Sequence, residues 1–230
     1  MKILALTFLT VMVTASLHGD DSDLIKARDH QDRAALEKLA ADSRAAAAKQ
    51  PNDAGAYYRL ALAESYSAEV AIELHDKASA KNAAQAGMDA AAKAVSIKPD
   101  SAEYQRVLGT LCGQMVSTNN LAGLRYAKCA MDSVDKAIHL DPKSSMAYLS
   151  HGVGNYYLPQ AFGGGLDLAI KDFHKAIDLN PKNAEAWLWL GLALRRSNQP
   201  AEAQKAFAQS LLIDPNRVWA KQQLEKTSGL

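Results

Sequence analysis

Residues 187–215 read WLWLGLALRRSNQPAEAQKAFAQSLLIDP, and this stretch holds two apolar segments joined by a short polar one. The joining segment ends in a proline, which cannot continue a helix and therefore marks a turn. The segments on either side predict two helices packed against each other. Gly191 in the first and Ala203 in the second are small enough to let the backbones come close, and the rings of Trp187 and Phe207 fill the space around that contact.

Prolines indicate that this helix pair is the last of several similar units. They are Pro51, Pro99, Pro142, Pro181 and Pro215. Their spacings are 48, 43, 39 and 34 residues. The fifth residue before each proline is alanine, or serine before the last, and the tenth residue after each of the first four is alanine or glycine. Such self-similarity indicates a repeat protein. The residues in excess of 34 lie between the two helices of a unit, as longer helices or as larger turns.

The last unit also carries a family motif. Its residues are Trp187, Leu190, Gly191, Leu194, Ala203, Phe207 and Pro215. In order and spacing they match W-x2-L-G-x2-Y, A-x3-F and P, with leucine in place of the tyrosine. The chain therefore resembles the tetratricopeptide repeat family over roughly residues 53–226. The resemblance implies an all-α fold, a right-handed superhelical stack of antiparallel helix pairs with a capping C-terminal helix. The 43 alanines agree with a helical chain.

We expect a signal peptide at residues 1–19. Lys2 precedes an apolar run of 13 residues, which is too short to span a bilayer, since a spanning helix needs about 20. Cleavage is expected after Ala15 or nearer Gly19, and no cysteine stands at this junction to carry a lipid. These features predict a periplasmic or secreted protein without a membrane span.

The remainder of the chain divides into a leading helix at residues 20–50 and a repeat domain at residues 51–230. Within the repeat domain we expect four helix pairs and a cap helix. Their approximate ranges are 53–98, 101–141, 143–180 and 182–214 for the pairs and 216–226 for the cap.

Composition and motifs argue against several classes of protein. A net charge of +1 gives no electrostatic attraction for nucleic acid. The run Gly163–Gly165 lacks the lysine and the serine or threonine of a phosphate-binding loop. No histidines are spaced four apart and there is no C-x2-C, which are the usual metal-ligand patterns. We therefore expect no catalytic residues, no metal, no cofactor and no nucleic-acid partner.

The two cysteines are expected to lie on the two helices of the second unit. Gly109 and Ala130 should meet where these helices cross, which brings Cys112 within reach of Cys129. In an oxidising compartment an even pair within one hairpin favours a disulfide. The alternative is two buried free thiols, since bridging requires Cα atoms less than about 7 Å apart.

Function in the resembled family lies on the concave surface, which the first helix of each pair lines and which usually recognises a peptide or protein segment. Mapped onto this sequence, the resemblance implies a set of groove-facing candidates. They are Tyr58, Leu62, Tyr66, Arg106, Thr110, Gln114, Leu149, Val153, Tyr156, Tyr157, Leu188, Leu192 and Arg195. Leu149, Val153, Leu188 and Leu192 are adjacent by register and would form an apolar binding patch if exposed. The alternative is that the leading helix, the insertions or the C-terminal segment covers them.

Two functions remain open from the sequence. The first is an exported module that binds a protein or peptide partner in its concave groove. The second is a periplasmic transport accessory that binds a small apolar ligand. For the second, the insertions and the segment Pro159–Gly165 are similar to those of exported repeat proteins such as the T component of TRAP transporters.

Overall fold

The computed structural model describes residues 21–118 and 123–229, and this part of the chain contains eleven α-helices and no strand. The prediction of an all-α fold is confirmed. The signal-peptide prediction lies outside the described residues. The helices are α1 Ser22–Asp29, α2 Arg33–Lys49, α3 Ala54–Glu73, α4 Lys77–Ile97, α5 Ala102–Thr118, α6 Gly123–Leu140, α7 Ser145–Tyr157, α8 Leu166–Leu179, α9 Ala184–Arg196, α10 Pro200–Ile213 and α11 Val218–Ser228.

The helices form four successive antiparallel pairs, α3 with α4, α5 with α6, α7 with α8, and α9 with α10, followed by α11. Each pair packs against the next, so the predicted stack of helix pairs is confirmed. Asp53, Ser144 and Asn183 begin the first helices of three pairs by accepting a hydrogen bond from an early helical amide. Such caps satisfy amides that have no partner within the helix. None of the described helices combines the length and the continuous apolar character needed to cross a bilayer.

We expected one leading helix over residues 20–50, and the structure instead has two, α1 and α2. The break lies at Gln31, whose φ of 53° is left-handed. The carboxylate of Asp32 then accepts a hydrogen bond from the amide of Ala35 at 3.0 Å and starts α2. Because this cap restarts the helix in a new direction, α1 leaves the line of α2 and packs against α3.

The extra residues of the first three units are distributed in two different ways. With 13 and 14 residues, α9 and α10 set the standard length, and α7 and α8 match them. In the first unit α3 and α4 have 20 and 21 residues, which is seven more in each helix, or about two turns. In the second unit α5 and α6 have four more each. The third unit instead has a long turn with a short 3₁₀-helix, Gln160–Phe162.

The glycines at the helix crossings make room for aromatic rings. We expected Gly191 to face Ala203. A Cβ atom at Gly191 would lie 2.6 Å from the ring of Phe207, and one at Gly152 would lie 2.6 Å from the ring of Phe173. Both rings are fully buried, and each follows an alanine by one helical turn, so the glycine leaves space for the larger neighbour.

Candidate functional site

Residues from the first helices of all four pairs line a cavity of about 420 Å³, together with residues of α1, α6 and α11 and of the turn that follows α7. Eight of the predicted groove residues line it, and they come from α3, α5 and α7. They are Leu62, Tyr66, Arg106, Thr110, Gln114, Leu149, Val153 and Tyr157. Trp189 of α9 and Trp219 of α11 complete the wall, and neither was among the residues we selected from the sequence.

The other predicted residues lie elsewhere. Tyr156, Leu192 and Arg195 line a second cavity of about 430 Å³ beside the turn between α3 and α4. Tyr58 stacks on Tyr104, with ring centroids 5.1 Å apart, outside both cavities. Leu188 is fully buried in the core between α9, α10 and α11.

The four apolar residues do not form the expected exposed patch. Leu188 has no exposed surface, and Leu149 and Leu192 are each only 5% exposed. The ring of Tyr156 packs on the core that contains Leu188 and Leu192, and Trp219 from the C-terminal segment packs there too. The C-terminal segment therefore contributes to covering the leucines, and an apolar ligand would reach the protein through the cavity rather than on an open face.

The polar groups of the cavity wall are paired with one another. The side-chain amide of Gln114 donates to the backbone carbonyl of Ser65 at 3.0 Å. The hydroxyls of Thr110 and Ser150 lie 3.1 Å apart, within hydrogen-bonding distance. Apolar side chains occupy much of the rest of the wall, including Met131 and Val134 of α6. The wall is thus apolar, with polar groups held at fixed positions.

A buried arginine, Arg217, lies behind the cavity wall and pairs with three glutamates that line it. It precedes α11 and has no exposed surface. Its guanidinium donates from Nε to Oε1 of Glu185 at 2.7 Å and from Nη2 to Oε1 of Glu69 at 2.7 Å. It also donates from Nη1 to Oε2 of Glu73 at 3.2 Å. Arg217 therefore ties the end of the stack to α3, at its beginning.

A second arginine, Arg28 of α1, joins this cluster from the other side. Its Nη2 lies 2.6 Å from Oδ1 of Asp29 and 3.3 Å from Oε1 of Glu185. The guanidinium also lies over the ring of Tyr66, 5.0 Å from the ring centroid, where cation–π attraction holds it. We define the ionic cluster as Arg28, Asp29, Glu69, Glu73, Glu185 and Arg217.

Burial and charge act in opposite directions on the carboxyl groups of the ionic cluster. Burial raises the pKa of Glu69 to about 8 and that of Asp29 to about 6, although the arginines act to lower both. Burial also raises the pKa of Glu73. For Glu185 burial is outweighed by the charges of Arg217 and Arg28, which lower its pKa. Burial therefore outweighs the arginines at Asp29, Glu69 and Glu73, and the arginines outweigh burial at Glu185.

The lengthened α3 creates this cluster. Its first thirteen residues correspond to the whole of α9, and the added turns, residues 67–73, carry Glu69 and Glu73. A helix of standard length would end before either glutamate. The sequence sign of this cluster was a pair of glutamates one helical turn apart on the added turns. Their partner Arg217 lies 144 residues from Glu73, so no local sequence pattern indicates the contact.

The mouth of the cavity is formed by the long turn of the third unit. Phe162 lines the cavity while 60% of its surface is exposed, and Tyr157 is 45% exposed. The turn is held in place because the amide of Gly165 donates to the carbonyl of Asn155 at 2.9 Å. Behind the mouth, the ring of Trp189 contacts Tyr157 and Trp219, with centroids 6.1 and 5.5 Å away. The rings of Tyr157, Trp189 and Trp219 therefore contact one another in series, from the partly exposed Tyr157 to Trp219 beside Arg217 of the ionic cluster.

A disulfide joins Cys112 of α5 to Cys129 of α6, and the two Cα atoms are 5.9 Å apart. The backbone carbonyl of Ala130 lies 2.9 Å from where a Cβ atom at Gly109 would stand, so these two residues meet at the helix crossing. The bridge fixes the hairpin whose helices supply Arg106 and Met131 to the cavity wall.

Comparison with protein families gives two matches on this chain. Residues 22–160 match the family described as Regulator of microtubule dynamics protein 1-3. Residues 164–224 match a family described as Tetratricopeptide repeat. The first match includes α1 to α7, which are the two leading helices, the first two units and the first helix of the third, and the second includes α8, the standard unit and most of α11.

Individual relatives match only segments of the chain. Human Protein O-mannosyl-transferase TMTC1 is 29% identical over 103 residues, which are 44% of this chain and 11% of that protein. Superkiller protein 3 of Schizosaccharomyces pombe is 38% identical over 76 residues, 29% of this chain and 6% of that protein. The chain therefore spans only a small part of each relative's length.

A tetratricopeptide repeat protein of Thermus thermophilus, known from a crystal structure, aligns over 89% of this chain and 100% of its own. The TM-score is 0.64 and the sequence identity is 17%. At that identity the likeness bears on the fold alone.

Proposed function

The chain belongs to the family described as Regulator of microtubule dynamics protein 1-3 and is built from tetratricopeptide repeats, and on this basis we propose that it binds a segment of a partner protein in its concave cavity. The observation that carries the proposal is the cavity itself. Its volume of about 420 Å³ lies within the range of about 300–1,000 Å³ typical of ligand sites. In this proposal the chain is a protein-interaction module without catalytic activity.

The volume and the mainly apolar wall of the cavity fit one or two side chains of an extended or helical peptide that bring apolar surface into it. The exposed rings of Phe162 and Tyr157 flank the mouth and would contact the peptide backbone on either side. Inside, the wall is apolar and its hydroxyl and amide groups already pair with one another. An apolar side chain that enters would therefore leave no buried polar group without a partner.

A substitution that fills the cavity tests this proposal. Val153 lines the cavity and is half-buried, so Val153→Trp should occupy the space that a partner side chain needs. Both chains are immobilised and exposed to a native extract, and the partner protein that each retains is measured by quantitative mass spectrometry. We expect the variant to retain no more than about a tenth of the amount that the natural chain retains. The matched control is Leu168→Trp on α8, where the leucine is 43% exposed.

The control should retain the partner at the natural level, and circular dichroism should give the same helix content for both variants. Equal retention by Val153→Trp and Leu168→Trp would contradict binding in the cavity.

A second candidate function is binding of a small apolar molecule. The observation that favours it is that the cavity is bounded by helices on several sides, with its own polar groups paired. Native mass spectrometry of the purified chain distinguishes the two, because a small molecule retained through purification adds a defined mass that Val153→Trp should lose.

We also propose that the chain is exported. The disulfide between Cys112 and Cys129 supports this, because disulfides persist in oxidising compartments. The chain recovered from outside the cytoplasm should begin after Ala15 or nearer Gly19 when its N-terminus is sequenced. Exported material that begins at Met1 would contradict cleavage.

A further inference from the structure

We propose that the cavity selects a basic side chain of the partner, a lysine or arginine whose charged end lies at Glu69 and whose stem lies along the apolar wall. This inference rests on the proposed function, because it specifies the chemistry of the bound peptide. It follows from three features of the described residues: the charge balance of the ionic cluster, the position of Glu69, and the aromatic rings around it.

The ionic cluster has fewer cations than carboxylates. Arg217 is shared among Glu69, Glu73 and Glu185, and Arg28 is shared between Asp29 and Glu185. Within the described part of the chain, the four carboxylates of the cluster thus face two guanidinium groups. The next arginine on the cavity wall, Arg106, is held by its own partner, Glu103, at 2.7 Å. At neutral pH Glu69 holds a proton, because burial raises its pKa to about 8, and a cation brought by a ligand would take the place of that proton.

Glu69 is the member of the cluster that a ligand can reach. Its side chain is 22% exposed, compared with 1% for Glu73 and 11% for Glu185. It lines the cavity, so the exposed part of the side chain faces the space that a ligand would occupy. An ammonium or guanidinium group placed there would form a charge-assisted hydrogen bond in a largely desolvated position, where such bonds are strong.

Two basic groups of the chain itself already pair with glutamates of the cavity wall. Arg28 lies over Tyr66, and the guanidinium of Arg217 lies over Trp219, 5.5 Å from the ring centroid. Both arginines come from outside the four helix pairs, whereas the glutamates they bind belong to α3 and α9. In this region, then, glutamates of the first helices and aromatic rings together bind guanidinium groups. The rings of Trp189 and Tyr157 also line the cavity and could contact the charged end of a ligand in the same way.

The apolar part of the wall accounts for the stem of the basic side chain. Met131, Met146 and Val153 line the same cavity as Glu69. Lysine and arginine bury their methylene chains along apolar surfaces while the charged end reaches a polar group. A carboxylate or phosphate would instead face the carboxyl groups of the cluster, and the two guanidinium groups there are already paired.

Three six-carbon probes that differ only in the end group test the inference. They are hexylammonium, 1-hexanol and hexanoate, titrated into the purified chain at a pH of about 8.5, where Glu69 is largely ionised and the amine is charged. The indole N–H resonances of Trp189 and Trp219 report on the cavity. Trp187, which lies outside both cavities, serves as an internal reference. We expect hexylammonium to bind at least about tenfold more tightly than 1-hexanol, and hexanoate to bind most weakly.

Glu69→Gln should remove the preference for hexylammonium and leave the affinity for 1-hexanol unchanged, which also shows that the cavity has kept its shape. The matched control is Glu202→Gln, at an exposed position on α10, which should keep the full preference. Equal binding of hexylammonium and 1-hexanol by the natural chain would overturn the inference. That outcome would not affect the proposed function. The proposed function fails only if Val153→Trp retains as much partner protein as its control.

Discussion

At the scale of single residues, one arginine pairs with three glutamates of the cavity wall. Arg217 is the largest fully buried side chain among the described residues, and its guanidinium contacts Glu69, Glu73 and Glu185 together. Burying ionised groups is costly unless each is paired and hydrogen-bonded. The geometry meets that requirement for Arg217 and Glu185. We place the ligand's charge at Glu69 because its side chain lines the cavity and is more exposed than those of Glu73 and Glu185.

The sequence predicts part of this residue-scale arrangement. Leu62, Thr110 and Val153 lie on the cavity wall, because each occupies the same position on the first helix of its unit. Arg217 and its partners were not predicted. Position within a repeat determines which face of a helix a residue occupies, but it carries no information on how far the stack curves. The contact between Arg217 and Glu73 depends on that curvature.

At the scale of elements, the spacing of the prolines predicted where extra residues enter each unit but not the form they take. The first unit has no proline or glycine between Ala61 and Asp76, so its helices simply continue. The third unit has Pro159 and three glycines, which end α7 and produce the long turn. The break between α1 and α2 was missed, because the side-chain cap of Asp32 offers a helix start within an otherwise helical pattern.

The glycines at the helix crossings allow an element-scale prediction. Alanine is favoured over glycine in a helix by about 1 kcal/mol. At Gly152 and Gly191, however, the added Cβ atom would lie 2.6 Å from a buried ring, and such overpacking costs about 1–3 kcal/mol. We therefore expect Gly152→Ala and Gly191→Ala each to lower the free energy of unfolding by about 1–2 kcal/mol in urea denaturation.

The matched control for these substitutions is Gly113→Ala within α5. A Cβ atom there would meet only the Cβ of Ala130, at 4.0 Å, which is an ordinary contact. The helical preference of alanine should then dominate and raise the free energy of unfolding by up to about 1 kcal/mol. If all three substitutions stabilised the chain equally, the glycines would not be needed to accommodate Phe173 and Phe207.

At the scale of the whole molecule, the ionic cluster changes how the repeats depend on one another. In a stack of repeats each unit usually contacts only its neighbours, so the ends can unfold independently. Here Arg217, which follows the last pair, binds Glu69 and Glu73 on the first. Gln222 of α11 also donates at 3.2 Å to the side-chain oxygen of Gln31, which precedes the first pair. These contacts close the concave side and should couple the two ends.

Arg217→Met tests this coupling, because it keeps an apolar stem of similar length and removes the charge. Three buried carboxylates then lose their common partner, and we expect the free energy of unfolding to fall by about 3–5 kcal/mol near pH 8. The amides of α11 and of the added turns of α3 should exchange hydrogen faster, while those of α7 and α8 change least. Arg33→Met is the control, because Arg33 pairs with Asp76 at the surface and should cost less than about 1 kcal/mol.

The pH dependence separates this charge effect from loss of packing. A carboxyl group whose pKa is higher in the folded than in the unfolded chain holds its proton in the fold, so its contribution to stability is lost as pH rises. Burial places the pKa of Asp29 at about 6 and that of Glu69 at about 8, and removing Arg217 takes away a charge that acts to lower both. The cost of Arg217→Met should therefore be smaller near pH 5 than near pH 8. If Arg217→Met lowered the free energy of unfolding equally at pH 5 and pH 8, the packing of the Arg217 side chain would hold the two ends together. The charge of the cluster would then contribute little to the coupling.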